Sequence, residues 1–249
     1  MTTVDLVHGG YSFAPGVSQY SAGVRALPGY RIERVRFARL VPLREGFAQI
    51  AARLRGAGRP LTAFCACELR SPAPFTEDGF RTFNHAYAAV LRDWGMLATG
   101  ANPVARSNVC PEIDPPAEPG FHAFCYAVPD ADAPPSFVVA GSGEVTEGQA
   151  TYRDHVVAPG DTSEAGMRAK AHFVVSEMER RMALLGADWS VATGVQAYTV
   201  FEMNRFVPDE IVRRGAMAHG LTWHFARPPI VGLDFEMDCR RVAVERVID

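Results

Sequence analysis

The chain has 249 residues, enough for one large domain or two small ones at roughly 150 residues per domain. Apolar residues make up 48% and charged residues 21%, a balance that can build a core and excludes a disordered chain. The formal charge of −3 comes without a block of like charge, so a nucleic-acid binder, which needs a clustered basic face, is not expected.

No apolar run approaches the ~20 residues of a membrane span. Met1 to Gly10 lacks the basic-then-apolar pattern of a signal peptide. The cysteines are Cys65, Cys67, Cys110, Cys125 and Cys239. An odd number without a secretory signal predicts reduced thiols in a cytoplasmic protein. Cys65 and Cys67 are spaced to share one face of a strand as small buried hydrophobes, and no further ligands stand at metal-binding spacing. Lys170 is the only lysine, so Schiff-base chemistry would rest on it alone.

In chain order, Tyr20 to Ala26 and Tyr30 to Leu40 flank Leu27-Pro28-Gly29 and predict a β-hairpin. Pro42 opens a helix whose apolar positions are Leu43, Phe47, Ile50, Ala51 and Leu54, with Gly56 and Gly58 as its stop. Leu61 to Leu69 predicts a buried strand. Thr76 caps a second helix with the stripe Phe80, Phe83, Tyr87, Val90, Leu91, Trp94. Ala105 to Cys110 and Phe121 to Val128 are short strands. Asp130 to Pro135 has the composition of a linker.

After it the pattern restarts. Phe137 to Ala140 is a strand and Gly141-Ser142-Gly143 a turn. Asp161 to Glu164 starts a long helix ending at Gly186. Val191 to Phe201 is a strand, Pro208 to Met217 a shorter helix, and Leu221 to Phe225 and Leu233 to Val244 closing strands. The order strand, helix, strand, helix, strand, strand therefore occurs twice, which predicts two α+β domains.

The residues resemble the RidA/YjgF family of imine and enamine deaminases. Tyr20-Ser21-Ala22-Gly23-Val24 resembles the family's early Tyr-Ser-Gln-Ala-Val, and Ala105-Arg106-Ser107-Asn108-Val109 its Ala-Arg-Ser-x-Val strand. In the second half, Gly141-Ser142-Gly143, Ala226-Arg227-Pro228-Pro229 and Leu233 to Asp238 resemble the family's Ser-Gly, Ala-Arg-Leu-Pro and last-strand segments. The resemblance implies two tandem RidA/YjgF-like (chorismate-mutase-like) domains, 1–130 and 135–249. Each would be a mixed sheet with two helices on one face. It also implies a homo-oligomer, most simply a trimer of tandem chains, because family domains pack their sheets in threes.

In that family an Arg on the penultimate strand binds the substrate carboxylate, and a Glu on the last strand orients a water. The first copy keeps Arg106 but places His122 at the Glu position; the second keeps Glu236 but places Gly220 at the Arg position. Imine hydrolysis needs only a positioned water, a proton acceptor and an anchor. Arg106 suits a carboxylate because a guanidinium is always charged and bonds bidentately; its structural alternative is an ion pair with Glu112 or Asp114. His122 titrates near neutrality and can manage a proton, or it is a hydrogen-bonded core residue. Glu236 shares a face with Asp238, and its alternative partners are Arg240 and Arg241. Tyr20 and Asn108, the latter on the Arg106 face, complete the candidate site.

The expected function is cofactor-independent hydrolysis of a small unsaturated amino or imino acid to a keto acid and ammonia, with no metal. The runners-up are a chorismatase-like enol-pyruvyl ether hydrolase and a non-catalytic binder of small carboxylates.

Overall fold

A computed structural model describes residues 3–97, 100–146, 148 and 152–249. Two mixed sheets with few helices make it an α+β protein. The first half supplies β4 (Tyr30–Pro42), α1 (Leu43–Gly56), β5 (Phe64–Arg70), α2 (Glu77–Asp93), β6 (Ala105–Pro111) and β7 (Gly120–Pro129). The second supplies β8 (Phe137–Gly143), α3 (Glu164–Leu184), β9 (Gly194–Tyr198), β10 (Thr222–His224) and β12 (Glu236–Arg241). Before them come β1 (Val4–Leu6), β2 (Tyr11–Ala14) and β3 (Gly23–Ala26); β11 (Ala226–Arg227) and β13 (Val244–Ile248) flank β12.

Strands β6-β5-β7-β4 lie in that order, parallel between β6 and β5 and antiparallel beyond. Strands β10-β9-β12-β8 repeat the same order and senses. The flanking strands cross over. The meander β1-β2-β3 adds to β8, while β11 and β13 add to β6 and β4.

The expected hairpin around Leu27-Pro28-Gly29 is corrected by this exchange. The turn forms, with Gly29 at φ +82° and the Tyr30 N–H donating to the Leu27 carbonyl (3.0 Å). Its two arms, however, enter different sheets, because β3 pairs with β2 and β8 instead. The turn thus joins two layers, and Val24, Ala26 and Ile32 pack into one cluster between them.

The helices form where capping and periodicity place them. The Thr76 and Ser163 hydroxyls accept the N–H of Gly79 (3.1 Å) and Gly166 (3.3 Å), capping α2 and α3. The helices α1 and α2 cover the six-stranded sheet through Phe47, Ile50, Leu54, Tyr87 and Leu91. Helix α3 covers the other sheet through Met167, Ala171, Val174, Val175, Met178 and Met182. The expected helix from Pro208 to Met217 is shorter: a wide-turned segment, Val207–Val212, runs on into turns. Gly141 to Gly143, expected as a turn, lies within β8.

The expected shared face of Cys65 and Cys67 is also corrected. The β5–β7 register shifts between Phe64 and Ala66, and this irregularity rotates the strand. Cys65 therefore joins the cluster between the sheets, and Cys67 the helix-side core, 3.3 Å from the Tyr87 hydroxyl.

Candidate active site

The sheets meet across a polar layer as well as an apolar one. Arg34 donates to Glu68 (2.6 Å), and Gln196 reaches both Glu68 (3.3 Å) and Asp238 (2.8 Å). Asp238 also accepts from Tyr198 (2.9 Å) and Ser107 (2.5 Å). Burial alone would raise the Glu68 carboxyl, but Arg34, Arg240 and Arg70 hold it well below the ordinary range. Asp238 is raised by burial and by the Glu68 charge. The strand alternation that pairs Glu236 with Asp238 on one face thus divides their roles: Asp238 ties the layers together, while Glu236 lines a cleft.

That cleft lies at the seam of β6, β8 and β12. Tyr20, Arg106, Asn108 and Glu236 all line it, with Gly141, Gly143, Phe80, Tyr152 and the loop bearing Pro229, Ile230 and Leu233. Four of the five residues expected from sequence therefore meet in one place. They come from both halves of the chain, Arg106 and Asn108 from the first and Glu236 from the second. Tyr20 is brought there by the segment before β3, whose Ser21 N–H donates to the Val104 carbonyl (2.9 Å).

Arg106 is 3% exposed. Its guanidinium sits over Tyr87 (4.7 Å), Tyr20 (5.4 Å), Phe83 (5.5 Å) and Phe80 (5.8 Å). One nitrogen, Nη2, donates to Asn84 Oδ1 (2.5 Å), and Nη1 has no hydrogen-bond partner. Among the described residues Arg106 makes no ion pair; Glu112, its alternative partner from sequence, is held bidentately by Arg227 (2.7 and 2.8 Å). Asn108 Oδ1 accepts from Ser71 (2.9 Å), which turns its amide nitrogen away; that Nδ2 and the Nδ2 of Asn84 are also buried donors without partners.

Glu236 is placed by close approach and by its neighbours. A Cβ on Gly141 would collide with Glu236 Oε1, so only glycine leaves room for the carboxylate there. Just before it, the backbone N–H groups of Asp234 (2.6 Å) and Phe235 (3.0 Å) donate to the buried Glu144 carboxylate. Lys170, fully buried on α3, pairs with Asp234 and lies 3.7 Å from Glu144. Burial raises Glu144 to about 7, against the pull of those N–H groups and of Lys170.

His122 does not line this cleft. It faces His224 (ring centroids 6.4 Å apart) near Arg70, Glu68 and Arg34. Burial and the Arg70 charge push it down to about 3, and His224 down to about 4, so both rings are neutral and weakly basic. Gly220 sits in the turn before β10 at φ +96°, a backbone state that disfavours an arginine there. No group of three His, Cys, Asp or Glu among the described residues is arranged to hold a metal ion. No helix among them is long and apolar enough to cross a membrane.

No site role was legible in the sequence for Asn84, Glu144 or Asp234, and Lys170 stood out only as the sole lysine. A signal existed for Lys170: it falls within the apolar face of α3, three residues after Met167 and four before Val174.

The profile of the family described as 2-aminomuconate deaminase CnbZ matches residues 3–246. A 2-amino-5-chloromuconate deaminase from Comamonas testosteroni is 49% identical over 242 residues, covering 96% of each chain. A chorismatase crystal structure aligns over 97% of this chain and 80% of its own, with a TM-score of 0.52 at 10% identity, a likeness of fold alone. The E. coli YjgF gene product aligns over 43% of this chain and 80% of its own, with a TM-score of 0.32 at 15% identity.

Proposed function

Because the chain belongs to the 2-aminomuconate deaminase CnbZ family, we propose that it hydrolyses the enamine or imine of a 2-aminomuconate-type acid to the oxo acid and ammonia. A 2-aminomuconate is an enamine whose imine tautomer has an electrophilic C2. Arg106 binds the carboxylate beside C2, and Asn108 and Asn84 donate to it. Glu236 accepts a proton from water as its oxygen bonds to C2. It passes that proton to the nitrogen to give the carbinolamine, then takes the new hydroxyl proton and hands it to the nitrogen as the carbon–nitrogen bond breaks, leaving the oxo acid and ammonia.

The observation that carries this reading is a buried guanidinium with no ion pair among the described residues, in a cleft that also holds a carboxylate. An unpaired buried charge is costly, so it is retained where an anion completes it. The matching order of the two four-strand blocks supports reading the chain as two RidA-like copies, near 1–130 and 135–249, with flanking strands exchanged. It also supports an oligomer, most simply a trimer, in which unpaired sheet edges are covered.

The test is ammonia release by Arg106→Ala beside Arg227→Ala. Losing a charge-assisted bidentate anchor is expected to cost on the order of 2–4 kcal/mol, about 30- to 1000-fold in kcat/KM. Arg227→Ala, which breaks a partly exposed pair with Glu112 and a contact over the Phe201 ring (5.9 Å), is expected to stay within a few-fold. Normal turnover by Arg106→Ala would falsify the anchor role.

A further inference from the structure

We propose that the groove outside the Arg106 cleft, between the outer face of α2 and residues 16–19, is the subsite for the distal carboxylate of a dicarboxylic substrate. The inference rests on the proposed 2-aminomuconate-type substrate, which carries a carboxylate at each end of a six-carbon chain.

The inner cleft can satisfy only one of the two. Arg106 is the only cation among its described lining residues, and the wall around Phe80, Val145, Ile230 and Leu233 is apolar. A second carboxylate against that wall would lose its hydration with nothing in exchange, a cost of several kcal/mol. It must reach outward instead. The outer groove adjoins the inner cleft: Phe80 and Tyr152 line both.

Its floor is basic. Arg81, His85 and Arg92 line it, all from α2 and spaced four and seven residues apart, so the helix presents them as one stripe. Arg81 is shared with Asp78 (3.1 Å), whereas the side chains of His85 and Arg92 make no hydrogen bond or ion pair among the described residues. The one acid among its described lining residues, Glu77, is already engaged by the N–H groups of Tyr152 (3.0 Å) and Arg153 (3.1 Å). Between the two compartments stands Asn84, 3% exposed. Its Oδ1 is held by Arg106, and its unpartnered Nδ2 is a donor for a substrate spanning both. The anchor thus fixes the reacting end, and the stripe selects chains long enough to bring a second anion to it.

The experiment compares the full-length protein with the Arg81→Ala/Arg92→Ala double variant, whose changes lie on the exposed face of α2. Substrates are 2-aminomuconate and its C6 methyl ester. The expected result is a KM for the diacid raised about tenfold, as for the loss of two exposed charge contacts, with kcat and the ester's KM unchanged. Added salt should shrink the wild-type advantage of the diacid. Equal effects on both substrates, or none on the diacid, would overturn the subsite. Calorimetric titration with muconate and its monoester, which lack the amine, separates this from the deaminase reading. A preference for muconate that the double variant erases upholds the subsite even if no ammonia is released. No preference in the wild type rejects it even if deamination proceeds.

Discussion

Arg106 and His122 show how a residue acquires its role from what surrounds it. Both occupy family positions that suggested chemistry, yet only Arg106 is left with an open donor in a cleft. His122 is held neutral between Arg70, Glu68, Arg34 and His224. This has a consequence for acid stability. Its folded pKa of about 3 lies below the ordinary 6.5, so between those values the unfolded chain binds a proton that the folded chain refuses. Stability from this group is complete above about pH 6.5 and falls as pH drops toward 3, by up to about 1.4 kcal/mol per pH unit. In His122→Gln, urea denaturation at about pH 7 and pH 5 should show a smaller loss on acidification than in the wild type, while kcat/KM stays within a few-fold. A large loss of kcat/KM would restore His122 as a proton carrier.

At the scale of elements, α3 reaches the cleft without touching it. Lys170 pairs with Asp234 and lies beside Glu144, and Glu144 holds the two backbone N–H groups that precede Glu236. Removing the cation leaves two carboxylates buried together, and breaking such a cluster costs on the order of 3–5 kcal/mol. Lys170→Met should therefore lower the melting temperature and, by loosening Asp234 to Glu236, lower kcat more than it changes KM. The pH sense follows from Glu144. Its pKa is raised to about 7, so its contribution is present below the ordinary carboxylate range and is lost as pH rises through 7. The Lys170→Met defect should be larger at about pH 8, where Glu144 is ionised, than at about pH 5. Equal denaturant midpoints shifts at the two pH values would show that Lys170 does not compensate Glu144.

For the whole molecule, the exchange of flanking strands matters most. Strands β10 and β11 end their sheets, and Ile113, Trp223, Phe225 and Val231 are 68%, 44%, 51% and 63% exposed near them. The Glu112 N–H donates to the Phe225 carbonyl (3.2 Å), so Ile113 and Phe225 belong to one surface. Edge strands beside exposed apolar side chains favour association. The proposed trimer should appear in light scattering as three chain masses at micromolar concentration, and Trp223→Glu should reduce it. A monomer of 27.1 kDa would count against it.

The sequence by itself determined the α+β class, the helices α1, α2 and α3, and most of the residues that line the candidate cleft. Those features depend on local chemistry: Thr76 and Ser163 cap, apolar residues recur at helical spacing, and Arg106 and Glu236 sit in recognisable segments. Only the tertiary structure decided which residues meet. The partner of β3, the rotation of β5 between Cys65 and Cys67, the joining of Arg106 to Glu236 across the two halves and the separation of His122 from both are long-range outcomes. A strand's own residues specify its two faces, but the strand beside it is set by which layers can bury those faces together. A site built at the seam of two sheets is therefore legible as residues in the sequence and as an arrangement only in the fold.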